Sequence, residues 1–259
     1  MNKEYMKYFS MRNLIKLSIC IITAIALVIL INKPSWFFED LPEENFVTLY
    51  LDRTVSETCE VCDGMELLFD VPLSRYQASG LGFFSYEDKT YILTADHFCT
   101  DSDIPFYINP EDITDELSIE DHYGSTYSAS VIFTDSPNDL CLVESDMPKI
   151  ETVYLADQMP EVGEDVFAIA APRGYSEEGI SLHFDGNFSG CNSQGECMFV
   201  LDAYFGSSGG IILNSDGEMI SMIQRADMRL GYVTIGPNVE VMRQFLYRAA
   251  SETGIPFKY

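Results

Sequence analysis

The stretch Phe205-Gly206-Ser207-Ser208-Gly209-Gly210 sets serine on a glycine-rich turn ahead of the apolar run IILNSDGEMISMI. A nucleophilic serine needs an exposed hydroxyl on a tight turn, with backbone N–H groups facing the negative oxygen that develops on the attacked carbonyl. Flanking glycines permit both. Taken alone, the motif is equally a plain G-S-S-G-G turn. Two further segments supply what such a serine lacks. Tyr91 to Cys99 reads YILTADHFC, an apolar strand delivering His97 at its end, and residues 138–143 read NDLCLV, in which Asp139 opens an alternating strand. An imidazole accepts the hydroxyl proton and a carboxylate orients the imidazole, so the three side chains together suit acyl transfer.

Such residues must be held by a framework, and the sequence indicates which. Short runs rich in Val, Ile, Tyr and Phe (GLGFFSY, TYILTA, ASVIFT, LCLVES, EDVFAIAA, GISLHF, CMFVLDA, GGIILN, EMISMIQ) alternate with Gly, Asn, Asp and Pro clusters, the pattern of an antiparallel all-β architecture. One amphipathic helix is predicted over residues 238–250, behind Pro237, with Val239, Met242, Phe245, Leu246 and Ala249 at helical spacing. The acid-rich stretch EDITDELSIED (residues 111–121) reads as a solvated loop inserted between strands.

A chain of 259 residues with 47% hydrophobic content buries a sizeable core. Its 41 acidic and 15 basic side chains give a net charge of −26, which excludes nucleic acid as the expected partner and excludes docking on anionic lipid through charge. Five of the basic residues (Lys3, Lys7, Arg12, Lys16, Lys33) precede Pro34 beside one acid, Glu4, so the remainder is more acidic still. Self-repulsion of that polyanion predicts a fold that salt stabilises.

Residues 17–31 read LSICIITAIALVILI without a charge, and Leu14 and Ile15 extend the run across Lys16. The segment is short against the roughly 20 apolar residues of an ordinary span, and spans if the bilayer thins or Lys16 snorkels. A small-x-small cleavage pattern, Ala24-x-Ala26, falls inside the run rather than after it, which favours an uncleaved signal anchor. The basic residues before the run keep the N-terminus cytoplasmic and send the rest outward. The expected organisation is a cytoplasmic segment 1–13, a transmembrane helix 14–31, a linker 32–45 and a domain 46–259 in the periplasm or outside the cell. Six of the seven cysteines fall on the outer side, where disulfides form. Cys191 and Cys197, flanking the turn NSQGE, are the expected local pair; Cys59-x-x-Cys62 suits a disulfide role, without the second motif or histidine that zinc requires. No metal or cofactor is expected.

Histidine, acid and serine in this chain order are what a serine protease of the chymotrypsin type requires, and the chain resembles the trypsin-like serine peptidases, nearest their bacterial HtrA-type branch. GLGFF is similar to the family's GSGF strand, TADH to TAAH, DLCLV to DLALL and GSSGG to GNSGG; VGEDVFAIAAPRGY, NSDGEMISM and GYVTIGPNVEV also match in order, over roughly residues 79–245. The resemblance implies two six-stranded antiparallel β-barrels with a C-terminal helix, preceded here by the membrane helix. It implies a serine endopeptidase with Ser208 as nucleophile, His97 as general base and then acid, Asp139 as the orienting carboxylate, and the N–H groups of Gly206 and Ser208 as oxyanion hole. Asp135 lies close to Asp139 but does not open the D-L-x-L-V alternation; the G-x-S-G-G frame selects Ser208 over Ser207. His122 and His183 suit surface or core roles. Cys141, at a small inward position, reads as a buried hydrophobe that need not be bridged.

Departures from the pattern carry their own expectations. Ser207 stands where zymogen-forming relatives keep an Asp, so activation by N-terminal cleavage is not implied. The chain ends nine residues after the predicted helix, so no PDZ domain is expected to follow. Asp202, six residues before Ser208, either confers specificity for basic residues or plays the structural part of an HtrA-type Asp-Ala pair. Ile223, Gln224 and Arg225 are expected to offer a backbone edge to an extended protein or peptide substrate. An unusual Asp96 before His97 keeps a second reading open, a catalytically silent homologue that binds proteins or peptides in the same cleft; an acyl-ester hydrolase is a third.

Overall fold

A computed structural model describes residues 42–59, 67–100, 113–227, 229–230 and 232–257. The expected cytoplasmic segment, membrane helix and most of the linker lie outside these residues, as does Cys62. Among the described residues no helix is long and apolar enough to cross a membrane.

Six antiparallel strands close a barrel in the order β1-β2-β3-β6-β5-β4, where β1 is Phe46–Cys59, β2 Leu67–Tyr86, β3 Lys89–Thr94, β4 Ile113–Asp121, β5 Thr126–Asp135 and β6 Leu140–Ser145. Val47, Leu49, Ala78, Ile92, Ile119 and Val143 fill it, each buried Val, Leu or Ile side chain stabilising the fold by about 1.5–3 kcal/mol. The acid-rich stretch is not a loop: residues 113–121 form β4, pairing with both β1 and β5. Its charges obscure a period-two pattern in which Leu117 and Ile119 pack against the barrel core. Asp115, on the same face, is met by buried Arg53 in a two-pronged ion pair (2.7 and 2.8 Å).

The second half departs from the expected closed six-stranded barrel. It is a seven-stranded sheet in the order β11-β10-β7-β8-β9-β13-β12, with β7 Asp165–Ala170, β8 Leu182–Cys191, β9 Glu196–Val200, β10 Ile211–Leu213, β11 Met219–Met222, β12 Arg225–Ala226 and β13 Val233–Pro237. The two edge strands, β11 and β12, are consecutive in the chain. The segment bends at Ile223 and Gln224, where its main-chain bonding passes from Gly210 (Ile223 N–H to Gly210 O, 2.7 Å) to Ile235 (Gln224 N–H to Ile235 O, 3.0 Å). One bent segment therefore serves both edges, and the sheet curls without a continuous closing ladder.

The short helix α1 (Asp96–Thr100) follows β3, and the terminal helix α2 (Val239–Thr253) follows β13. Asn238 caps α2, accepting from Val241 N–H at 2.8 Å, and Gly254 ends it in the left-handed conformation. The five apolar residues read from the sequence are its buried face. Phe245 packs on Phe133 of β5, ring centroids 5.2 Å apart, so the helix leaves the second half to brace the first.

Candidate active site

His97 sits in α1 immediately after β3, so the strand fixes where its imidazole emerges. Nδ1 lies 2.9 Å from Oδ2 and 3.0 Å from Oδ1 of Asp139, and the His97 main-chain N–H donates to the same Oδ1 at 2.8 Å. The carboxylate thus grips both backbone and ring of the histidine. Asp139 follows a 3-10 turn (Ser136–Asn138) in the left-handed conformation, φ 50° and ψ 49°, where Asp is better tolerated than most side chains.

That backbone is held from outside. The side-chain Nε2 of Gln224 donates to the carbonyls of Asn138 (2.5 Å) and Asp139 (3.0 Å), tying the second half of the fold to the turn that carries the carboxylate. Asp135, the competing acid, is committed elsewhere: it is buried, accepts Asn138 Nδ2 at 2.7 Å and is ion-paired with Arg248 of α2. Asp96 is also buried, its Oδ2 accepting Thr100 Oγ1 at 3.1 Å. Cys141 is not unbridged. It forms a disulfide with Cys99 of α1, Cα atoms 6.5 Å apart, and is fully buried in the barrel core. Cys191 is bonded to Cys197 as expected.

Ser208 occupies a turn whose neighbours are bonded and whose own amide is not. The N–H groups of Ser207, Gly209 and Gly210 donate to Tyr204, Ile223 and Ser207 carbonyls. Among the described residues, the N–H groups of Gly206 and Ser208 donate to nothing. Ser207 is fully buried and its Oγ accepts from Tyr204 N–H (3.2 Å), a turn-stapling role unlike that of Ser208, whose Oγ donates to Gln224 O at 3.5 Å. Gly206 has φ +89°, and a Cβ there would meet Ala171 O at 2.8 Å, so a side chain is excluded on both counts.

His97 and Ser208 open on one cleft of about 530 Å³, walled by Tyr76, Ala78 and Phe98 from the first half and by Ala203, Phe205 and residues 223–226 from the second. Ile223, Gln224 and Arg225 line it, and β12 is a sheet edge; Arg225 is ion-paired with Glu196. Asp202 is not brought there. It is exposed and off the cleft wall, because Leu201 and Ala203 on either side turn inward. Among the described residues no cluster of three or more His, Cys, Asp or Glu is placed to hold a metal ion. The sequence reading overlooked two contacts: Cys99, whose partner is distant in the chain, and Ser79, a buried strand serine one residue before GLGFF.

The chain matches the family model of the trypsin-like peptidase domain over residues 80–222. It is 25% identical, over 187 residues, to the periplasmic pH-dependent serine endoprotease DegQ of Escherichia coli K12, a match covering 68% of this chain and 38% of that protein. The chain therefore spans well under half the length of this curated relative. In fold it resembles the crystal structure of the serine endoprotease from Yersinia pestis, with a TM-score of 0.62 at 15% identity, covering 85% of this chain and 68% of the other.

Proposed function

Since the chain belongs to the trypsin-like peptidase family, we propose that it is a membrane-anchored serine endopeptidase acting through Ser208, His97 and Asp139. The observation that carries this reading is the His97 imidazole, held twice by Asp139, on the same cleft as a serine flanked by two unengaged N–H groups. His97 takes the proton as Ser208 Oγ attacks the peptide carbonyl, and Asp139 steadies the charged ring. The oxygen of the tetrahedral intermediate is received by Gly206 N–H and Ser208 N–H. His97 then protonates the leaving amine, and water releases the acyl group by the reverse path.

An extended peptide adds along the edge of β12, beside Ile223, Gln224 and Arg225. The apolar walls from Ala203, Ile223 and Ala226, with Asp202 outside, favour an uncharged substrate side chain beside Ser208 over a basic one. We take residues 14–31 as the anchor and 46–259 as the domain on the periplasmic or outer side. The two disulfides and the periplasmic relative support that side. Incubation of the chain with a peptide library tests the reading: cleavage lost in Ser208→Ala supports it, and an uncut library points to the silent, peptide-binding homologue.

A further inference from the structure

Ser79 is fully buried in β2 and reaches from the first barrel into the turn that carries Ser208. Its Oγ donates to the carbonyl of Gly206 (2.8 Å) and accepts the N–H of Ala171 (2.8 Å). Its main-chain N–H donates to the carbonyl of Ser208 (2.8 Å), and its own carbonyl accepts Thr94 Oγ1 (2.8 Å) from β3. One residue is therefore bonded to both residues whose N–H groups remain unengaged at the cleft.

We propose that Ser79 is a positioning residue that holds the Gly206 and Ser208 amides in the orientation needed to receive the oxyanion; this rests on the function proposed above. The peptide unit joining Gly206 to Ser207 is pinned at its oxygen by Ser79 and at its nitrogen by Tyr204 O (2.9 Å). The preceding unit is pinned at its oxygen, Phe205 O, by Arg173 N–H (2.5 Å). With those oxygens fixed, rotation about Gly206 is suppressed, and its N–H cannot swing away from the cleft. Glycine would otherwise rotate freely, because it has no side chain to restrict φ. The Ser79 hydroxyl supplies the pin that the turn cannot make for itself.

The test compares kcat and KM of wild type, Ser79→Ala and Ser208→Ala on a quenched fluorescent peptide that the wild-type chain cleaves, with inhibition by phenylboronate. Boronate forms a tetrahedral adduct on the serine and reports on the oxyanion site, whereas peptide affinity, measured in a Ser208→Ala background, reports on the ground state. The expected result is a kcat lowered about ten- to a hundredfold in Ser79→Ala, since losing one oxyanion donor outright typically costs ~10²–10³. The phenylboronate inhibition constant rises in parallel, while KM and peptide affinity stay within about twofold. Should Ser79→Ala fail to fold, Ser79→Cys, similar in shape with a weaker donor, is expected to lower kcat severalfold in the same pattern. An unchanged kcat in Ser79→Ala beside an inactive Ser208→Ala overturns the positioning role and leaves the proposed function standing. Equal losses in kcat and peptide affinity also overturn it, in favour of a merely structural serine. A wild-type chain that neither cleaves peptide nor forms the boronate adduct fails at the proposed function and takes this inference with it.

Discussion

Cys99 is disulfide-bonded to Cys141, and each stands two residues after one member of the His97–Asp139 pair. The covalent bridge joins the helix that presents the imidazole to the strand that follows the carboxylate. It closes a loop with a sequence separation of 42, for which chain entropy gives about 4 kcal/mol. The double variant Cys99→Ala/Cys141→Ala is expected to lose about 3–4 kcal/mol in chemical denaturation and to lose kcat more than KM. Unaltered stability contradicts a structural role for the bridge.

Gln224 gives a sharper test of how the carboxylate is aimed, because its amide faces two carbonyl oxygens. Gln224→Ala removes two hydrogen bonds, each worth about 1 kcal/mol. Gln224→Glu replaces the donor by an acceptor against the same oxygens and is expected to lower kcat further than alanine does. Equal activity of the two variants contradicts this account of the turn.

Asp135 and Asp139 are both acids near the site, and their partners separate them. Arg248→Ala leaves buried Asp135 without its ion-pair partner, and such changes cost about 3 kcal/mol when one buried charge is stranded; because Arg248 is itself half-exposed, the expected loss is nearer 2 kcal/mol. Folded Asp135→Asn should still react at Ser208, whereas Asp139→Asn should not react at a comparable rate. Thermal melts and labelling rates check both statements.

Asp202 lies off the cleft wall, so Asp202→Ala is expected to leave the ratio of cleavage after basic and apolar residues unchanged within about twofold. A peptide-library comparison with wild type measures it. Loss of cleavage after Lys or Arg alone would restore the specificity role that the sequence suggested.

Local patterns carried much of this molecule in the sequence. The periodicity of Val239, Met242, Phe245, Leu246 and Ala249 marked the face of α2 that is buried, and Asn238 and Gly254 bound it by ordinary capping chemistry. His97 follows an apolar run, Asp139 opens one and Ser208 lies on a glycine-rich turn, so each stands out in the sequence one at a time. Features defined by a distant partner were hidden. Asp135 meets Arg248 across 113 positions and Ser79 meets Gly206 across 127, and no local pattern records either contact. One misreading had an available signal: Leu117 and Ile119 alternate beneath the acids of β4. Charge type was given more weight there than strand period, and the period won because buried area stabilises a strand more than exposed charge destabilises it.

The central claim is that Ser208 is a nucleophile driven by His97 and Asp139. A fluorophosphonate probe followed by peptide mass spectrometry tests it most directly. The account predicts a single stoichiometric adduct on Ser208, absent in Ser208→Ala and slowed by at least about a hundredfold in His97→Ala. An adduct on another serine, or undiminished labelling of Ser208→Ala, contradicts it.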